Sequence, residues 1–563
     1  MLNAKPSTSA IALRSADDIL KFACMGSAHQ HRLSFKRILL RRLKREGWSI
    51  SKPVWQLDDN GFGTAVYTSK GPHRSYSLVA FSHYLAPDKR TDRVIAEEWD
   101  ATFALFDGEP DAADIERLRA NVVKQEAGRI TERELCMGRA NKSLRMFDHV
   151  VERLAAGQQP DPGLISEVGY LMRTTAVYGS GKFGAADFGS YRSREELAAP
   201  YQAEMLTVYL IREFTLDLVE HIARCRCPDS AVGLSTDLRR RFGVGNSTGL
   251  GMAPYLVNHP IVLNQWLMVR ETALARVRSR PDCSTETEAA FANLLVRTKL
   301  GIKNWHTSDA APTARINQLA SDIDRVATRL SKHGMVGPMP WNDFYDWADK
   351  ALGNEAREFL VSLMIECNGE IVDDLEPLYF ADENASLRID GSRTVASIVQ
   401  SIRANYSWAL HYDFTSDLEN ARFWYASVEK LEPRLGERRQ EAGSDQEFPL
   451  AIARDVQELL NALMQEPPEC KIALFLLRFP AFRHIARRIQ VAETHPYAEI
   501  RDNTVGATMR PIDMLRFKLS FFGATRFDPR SDRWVRVTLY QNAPFASELA
   551  SQDADDWFLP TAS

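Results

Sequence analysis

Hydrophobic positions change their period twice along this chain of 563 residues. Between residues 54 and 106, short β-branched and aromatic runs occupy 54–57, 64–68, 76–81 and 99–106. Asp58-Asp59-Asn60-Gly61 and Lys70-Gly71-Pro72 separate the first three. Period-two runs punctuated by Asn-Gly and Gly-Pro predict an antiparallel meander. A helical pattern at 16–48 precedes it. From 111 to about 490 the helical period takes over. It predicts helices at 112–125, 130–156, 163–178, 198–226, 261–277, 311–332, 356–375, 416–430, 450–465 and 471–491. Alternation returns at 516–522 and 534–540, which predicts a hairpin with charged residues on one face. The expected fold class is α+β, a mainly helical body with small antiparallel β elements near the N- and C-termini. The expected division is 1–110, 111–500 and 501–563.

Composition narrows the function classes without choosing one. Hydrophobic residues make up 45% and charged residues 26%, the balance of an ordinary globular protein. A net charge of -4 lacks the basic excess of a dedicated nucleic-acid binder. No apolar run approaches the roughly 18 residues that span a bilayer. The first seventeen residues carry no apolar signal-peptide core. Seven scattered cysteines, an odd number in a large chain, point to reduced thiols and a cytoplasmic location. A homodimer is expected on the general prevalence of symmetric assemblies. The basic face of 16–48, with Arg32, Lys36, Arg37, Arg41, Arg42, Lys44 and Arg45, is expected to be solvated.

The chemistry-bearing candidates centre on glycine. Gly243, Gly245, Gly249 and Gly251 fall within nine residues, directly after Arg239-Arg240-Arg241. Glycine lets another group approach the main chain closely, and a loop of N–H groups before a helix can hold an anion. The expected ligand is a small anionic molecule held by Arg241, Gly243, Gly245, Ser247, Thr248, Gly249 and Gly251. A second stretch, Tyr178-Gly179-Ser180-Gly181-Lys182-Phe183-Gly184, adds Lys182 as a possible contact and a second wall of the same pocket. It is not a P-loop, because Ala176 and Phe183 stand where that motif needs glycine and a hydroxyl.

Acid–base groups are sought near these loops. His259 follows the first, and His411 lies in the aromatic run Tyr406–Asp413. Glu366 and Glu370 are four apart in a predicted helix, so both carboxylates would share one face. No H-E-x-x-H and no helical Glu-x-x-His occurs, so no metal site is assigned and the cofactor is left open. The expected function is a cytoplasmic enzyme that acts on a small anionic metabolite by general acid–base chemistry through His259 or His411 with Glu366 or Glu370. Two further readings remain. Gly245-Asn246-Ser247-Thr248-Gly249 matches G-x-S-x-G, which would make Ser247 a hydrolase nucleophile, although no buried strand is expected before it. In the third reading, the protein binds ligands or partners without catalysis.

Overall fold

The strand that begins at Ser49 sets the direction of a large sheet. The strands are β1 (Ser49–Leu57), β2 (Gly63–Lys70), β3 (Ser75–Ser82), β4 (Ala101–Asp107), β5 (Glu134–Lys142), β6 (Tyr170–Gly179), β7 (Gly243–Asn246), β8 (Trp424–Ser427), β9 (Pro433–Leu435), β10 (Glu447–Leu450), β11 (Arg526–Ser531) and β12 (Trp534–Leu539). Nine of them form one sheet in the order β1-β2-β3-β4-β5-β6-β7-β12-β11, and the rest form a second sheet, β10-β8-β9. The computed structural model describes residues 11–86, 98–122, 131–179, 194–199, 201–246, 260–305, 310–379, 388–414, 424–427, 433–435, 447–450, 452–501, 520–523, 526–531, 534–551 and 557–560.

This corrects the expected fold class. The β structure is not a set of small antiparallel elements near the N- and C-termini. It is mostly one large sheet whose β1 to β7 are drawn from the first half of the chain, and the bulk of the helices follow it. The sheet is not purely antiparallel either, because β6 and β7 run parallel. Two expected helices give way to strands. The range 130–156 contains β5 followed by the helix Phe147–Ala155, and 163–178 contains the helix Pro162–Val168 followed by β6. A third expected helix, 416–430, contains β8 within its described part.

The physical cause of the missed β5, whose first five residues are buried, is burial on both faces, which its neighbour β4 shares. Along β4, six consecutive residues are buried. Phe103 points to the long helix Gln202–Arg226, where its ring lies 5.7 Å from Phe214. Ala104 and Phe106 point the other way, into a core with Val66, Val79, Phe81, Met137 and Leu118. Leu118 belongs to the helix Ala112–Val122. A sheet covered on both sides reads as a continuous apolar run, so period two disappears from the sequence. The first hairpin, open to a turn, remained legible. Asp58 Oδ1 accepts from the N–H groups of Asn60 and Phe62, and Gly61 adopts a φ of +79°.

The chain forms two compact units, each assembled from separate stretches. One comprises Met1–Ala28, Leu250–Asn293 and Asn317–Phe517, and the other His29–Gly249, Leu294–Ile316 and Lys518–Ser563. The second, here the sheet unit, holds the nine-stranded sheet around the helix Gln202–Arg226. The first, here the helical unit, is built on the helices Pro260–Arg278, Pro340–Ala351, Asn354–Glu366, Val395–Asn405, Ile452–Leu463 and Arg483–Ala492. Its core includes Trp266, Trp341 and Tyr406, all fully buried. No described helix is long and apolar enough to cross a membrane. All seven cysteines are free thiols.

Candidate functional site

Among the described strands, β6 and β7 are the one parallel pair, with Arg173 opposite Gly245 and Thr174 opposite Asn246. Thr174 Oγ1 donates to the Gly245 carbonyl at 3.2 Å, and Asn246 Nδ2 donates back to Thr174 Oγ1 at 3.3 Å. Each strand runs directly into a glycine-rich stretch: Gly179 precedes Ser180, and Asn246 precedes Ser247. Parallel strands present their carboxyl ends to the same side, and in α/β sheets that side is where ligands collect.

Gly243 and Gly245 therefore lie in a strand, and their role there is packing. A Cβ at Gly243 would stand 2.3 Å from the Leu539 carbonyl oxygen, and one at Gly245 would stand 2.7 Å from the Tyr170 ring. Neither has a left-handed φ. Gly245→Ala is expected to lower the melting temperature through overpacking of about 1–3 kcal/mol. An unchanged melting temperature in a thermal scan would refute that role.

The three arginines before β7 separate. Arg239 pairs with Asp217 at 3.0 Å and Glu220 at 3.2 Å. Arg240 pairs with Glu548 at 2.9 Å. Arg241 is exposed, but it precedes the amino end of β7 while Ser247 follows the carboxyl end.

A titratable group that sequence reasoning passed over lies near the other strand end. Glu204 sits in the first turn of the helix Gln202–Arg226 and is buried. Burial pushes its carboxyl up to about 7, against a hydrogen bond from its own backbone that acts in the opposite direction. It acts on Cys136 of β5, whose thiol is raised first by burial and then by the Glu204 charge, while a Thr207 hydrogen bond opposes both. Cys136 is the register partner of Gly179, the last residue of β6. A carboxyl that titrates near neutrality is suited to proton transfer. The available signal was an acid inside the apolar run Ala203 to Leu210, read only as part of a helix.

Compared with protein-family models, curated proteins and solved structures, the chain matches none.

Of the acid–base groups expected from sequence, Glu366 and Glu370 do not lie in one helix. The helix Asn354–Glu366 ends before Gly369–Val372 begins, with Asn368 between them. Glu366 and Glu370 consequently share no helix face. Glu366 is buried, whereas Glu370 is exposed and ion-paired to Arg280. His411 is exposed at the end of the turn Ser407–His411. Tyr406, in the same aromatic run, belongs to the core: its hydroxyl donates to Glu499, which Arg488 holds through both carboxylate oxygens at 2.8 and 2.6 Å. Lys182, Ser247, Thr248, Gly249, Gly251 and His259 lie outside the described residues.

Proposed function

We propose that the protein is an enzyme acting on a small anionic metabolite, bound at the carboxyl ends of β6 and β7, with Glu204 as the general acid–base group. The observation that carries this reading is the parallel β6–β7 pair. Its two strands are followed in the sequence by the two glycine-rich stretches, and a buried carboxyl acts on the residue opposite the end of β6. Backbone N–H groups after Asn246, the hydroxyls of Ser247 and Thr248 and the ammonium of Lys182 supply the donors an anion needs. Glu204 in its neutral form donates a proton, and in its ionised form it accepts one. Glu366 and Glu370 are not carried forward as its partners, because they share no face and Glu370 is already ion-paired.

The test is thermal melting with a panel of phosphorylated and carboxylated metabolites. A true ligand present at a hundred times its Kd stabilises the protein by about 2.7 kcal/mol. The rise is expected to vanish in Lys182→Ala and Ser247→Ala. If no compound raises the wild-type melting temperature, the reading fails. We further propose that the protein works in the cytoplasm, on the support of its seven free thiols, and as a homodimer. A monomer mass from light scattering would remove the latter.

A further inference from the structure

The helix Phe35–Arg45 buries two basic residues where a solvated face was expected. Lys36 and Arg37 are both fully covered. Their cover comes from the far end of the chain. The Trp557 ring lies 4.5 Å from Lys36 Nζ, and the Phe558 ring lies 4.1 Å from Arg37 Cζ. Trp557–Pro560 is pinned by its carbonyls. Gln30 Nε2 donates to Phe558 at 3.2 Å, and Arg297 donates to Leu559 at 2.7 Å and to Pro560 at 3.0 Å. Gly523, at φ +81°, allows close approach to the lysine stem, since a Cβ there would stand 3.1 Å from Lys36 Cε.

Among the described residues, Lys36 Nζ has no hydrogen-bond partner. A buried donor left unsatisfied is costly and calls for an explanation. Among the described residues, the charges that act on it are Arg37 and Arg212, both cations. Burial first, and these cations second, hold the ammonium well below the ordinary lysine range, so the neutral amine is favoured. A desolvated lysine beside other cations is an activated nucleophile.

A strained turn lies near the same amine. Tyr540, whose ring lies 6.0 Å from Nζ, and Asn542 adopt left-handed φ angles of 60° and 65°. Non-glycine residues stay in such conformations where the surroundings over-determine them, often at functional sites. Here the surroundings are explicit. Arg212 donates to the carbonyls of Phe242 at 2.8 Å and Ala543 at 2.9 Å, the Tyr209 hydroxyl donates to Pro544 at 2.9 Å, and the Tyr540 hydroxyl donates to Met205 at 2.9 Å.

We propose that Lys36 is a nucleophilic amine that forms an imine with a 2-oxo acid, a carbonyl adjacent to a carboxylate, and that Trp557–Pro560 is the cover over this site. The Nζ lone pair adds to the carbonyl carbon. Both amine protons end on the former carbonyl oxygen, which leaves as water, and a C=N bond replaces C=O. The positive charges of Arg37 and Arg212 favour a carbonyl compound that carries a carboxylate. Phe242 and Tyr540 place this site at the amino end of β7, away from the strand ends of the proposed anion site, so either can fail without the other.

The full-length protein, incubated with glyoxylate and sodium cyanoborohydride near neutral pH and then peptide-mapped by mass spectrometry, provides the test. The reductant converts an imine to a stable secondary amine. Lys36 is expected to carry the adduct ahead of the exposed Lys44 and Lys70. Trp557→Ala is expected to speed that labelling, and Lys36→Arg to abolish it without changing labelling of the other two. Wild-type protein labelled at Lys44 and Lys70 but not at Lys36 would overturn the proposal. A labelling rate unchanged in Trp557→Ala would overturn the role of the cover.

Discussion

Glu358→Ala is expected to destabilise the helical unit by about 3–5 kcal/mol at neutral pH, the cost of breaking a buried ion pair from one side. Glu358 is fully buried and lies between Arg14, at 2.6 Å, and Arg270, at 2.8 Å. Arg14 also reaches Glu271 through two contacts of 2.7 Å, which ties the segment before Ala16 to the helices Pro260–Arg278 and Asn354–Glu366. Removing the carboxylate leaves two buried arginines, Arg14 and Arg270, to share the single carboxylate of Glu271. Burial alone would raise the Glu358 carboxyl, but Arg14 and Arg270 outweigh it and hold the group well below the usual carboxylate range. The folded-state value is thus depressed relative to the unfolded one. The stability it contributes is present above the unfolded value of about 4.3 and is lost as pH falls below it. Urea unfolding should therefore show a large gap between Glu358→Gln and wild type near pH 7, narrowing as the solution is acidified below about pH 4. A gap under about 1 kcal/mol at pH 7, the size found for exposed pairs, would show that the network is not desolvated in solution.

Glu204→Gln is expected to act with the opposite sign. The Glu204 carboxyl is raised to about 7 by burial, so between the unfolded value of about 4.3 and that folded value the native state holds a proton the unfolded state has released. Stability then falls as pH rises through this window and stays low above it. The shift corresponds to about 3 kcal/mol. Glutamine keeps the shape and cannot ionise. The variant should match wild type near pH 4 and exceed it by up to about 3 kcal/mol above pH 7. Parallel stability curves across that range would show that Glu204 is not desolvated. If the proposed function holds, the same stabilised variant loses turnover, because the group that costs stability is the one that moves the proton.

Local signals made part of this fold legible. Asp58 and Gly61 mark a tight turn by their own side-chain and backbone chemistry, and β1 and β2 pair across it. Long helices such as Gln202–Arg226 and Pro260–Arg278 follow an apolar period wide enough to be read without a partner. β5 was hidden because its two faces are covered by different elements, Met137 in the core with Leu118 and Cys136 against Thr207 of the helix Gln202–Arg226, and this erases the alternation that marks a strand. The glycines at 243 and 245 were visible as glycines, but their surroundings, Leu539 and Tyr170, are distant in sequence, so packing could not be separated from ligand approach. Glu366 and Glu370 matched a helical spacing that the chain breaks at Asn368.

By itself, the sequence determined the tight turns, the long helices and the chemical groups available. Only the tertiary structure decided which of those groups are desolvated and which lie side by side. Lys36 reads as one of seven cations on a solvated face until Trp557, more than five hundred residues away in the chain, is placed over it. Glu204 reads as one polar residue in a helix until Cys136 and the sheet exclude water from it. Periodicity is a property of neighbours in the chain, whereas burial, and with it the ionisation of a buried group, is set by residues that only folding brings near.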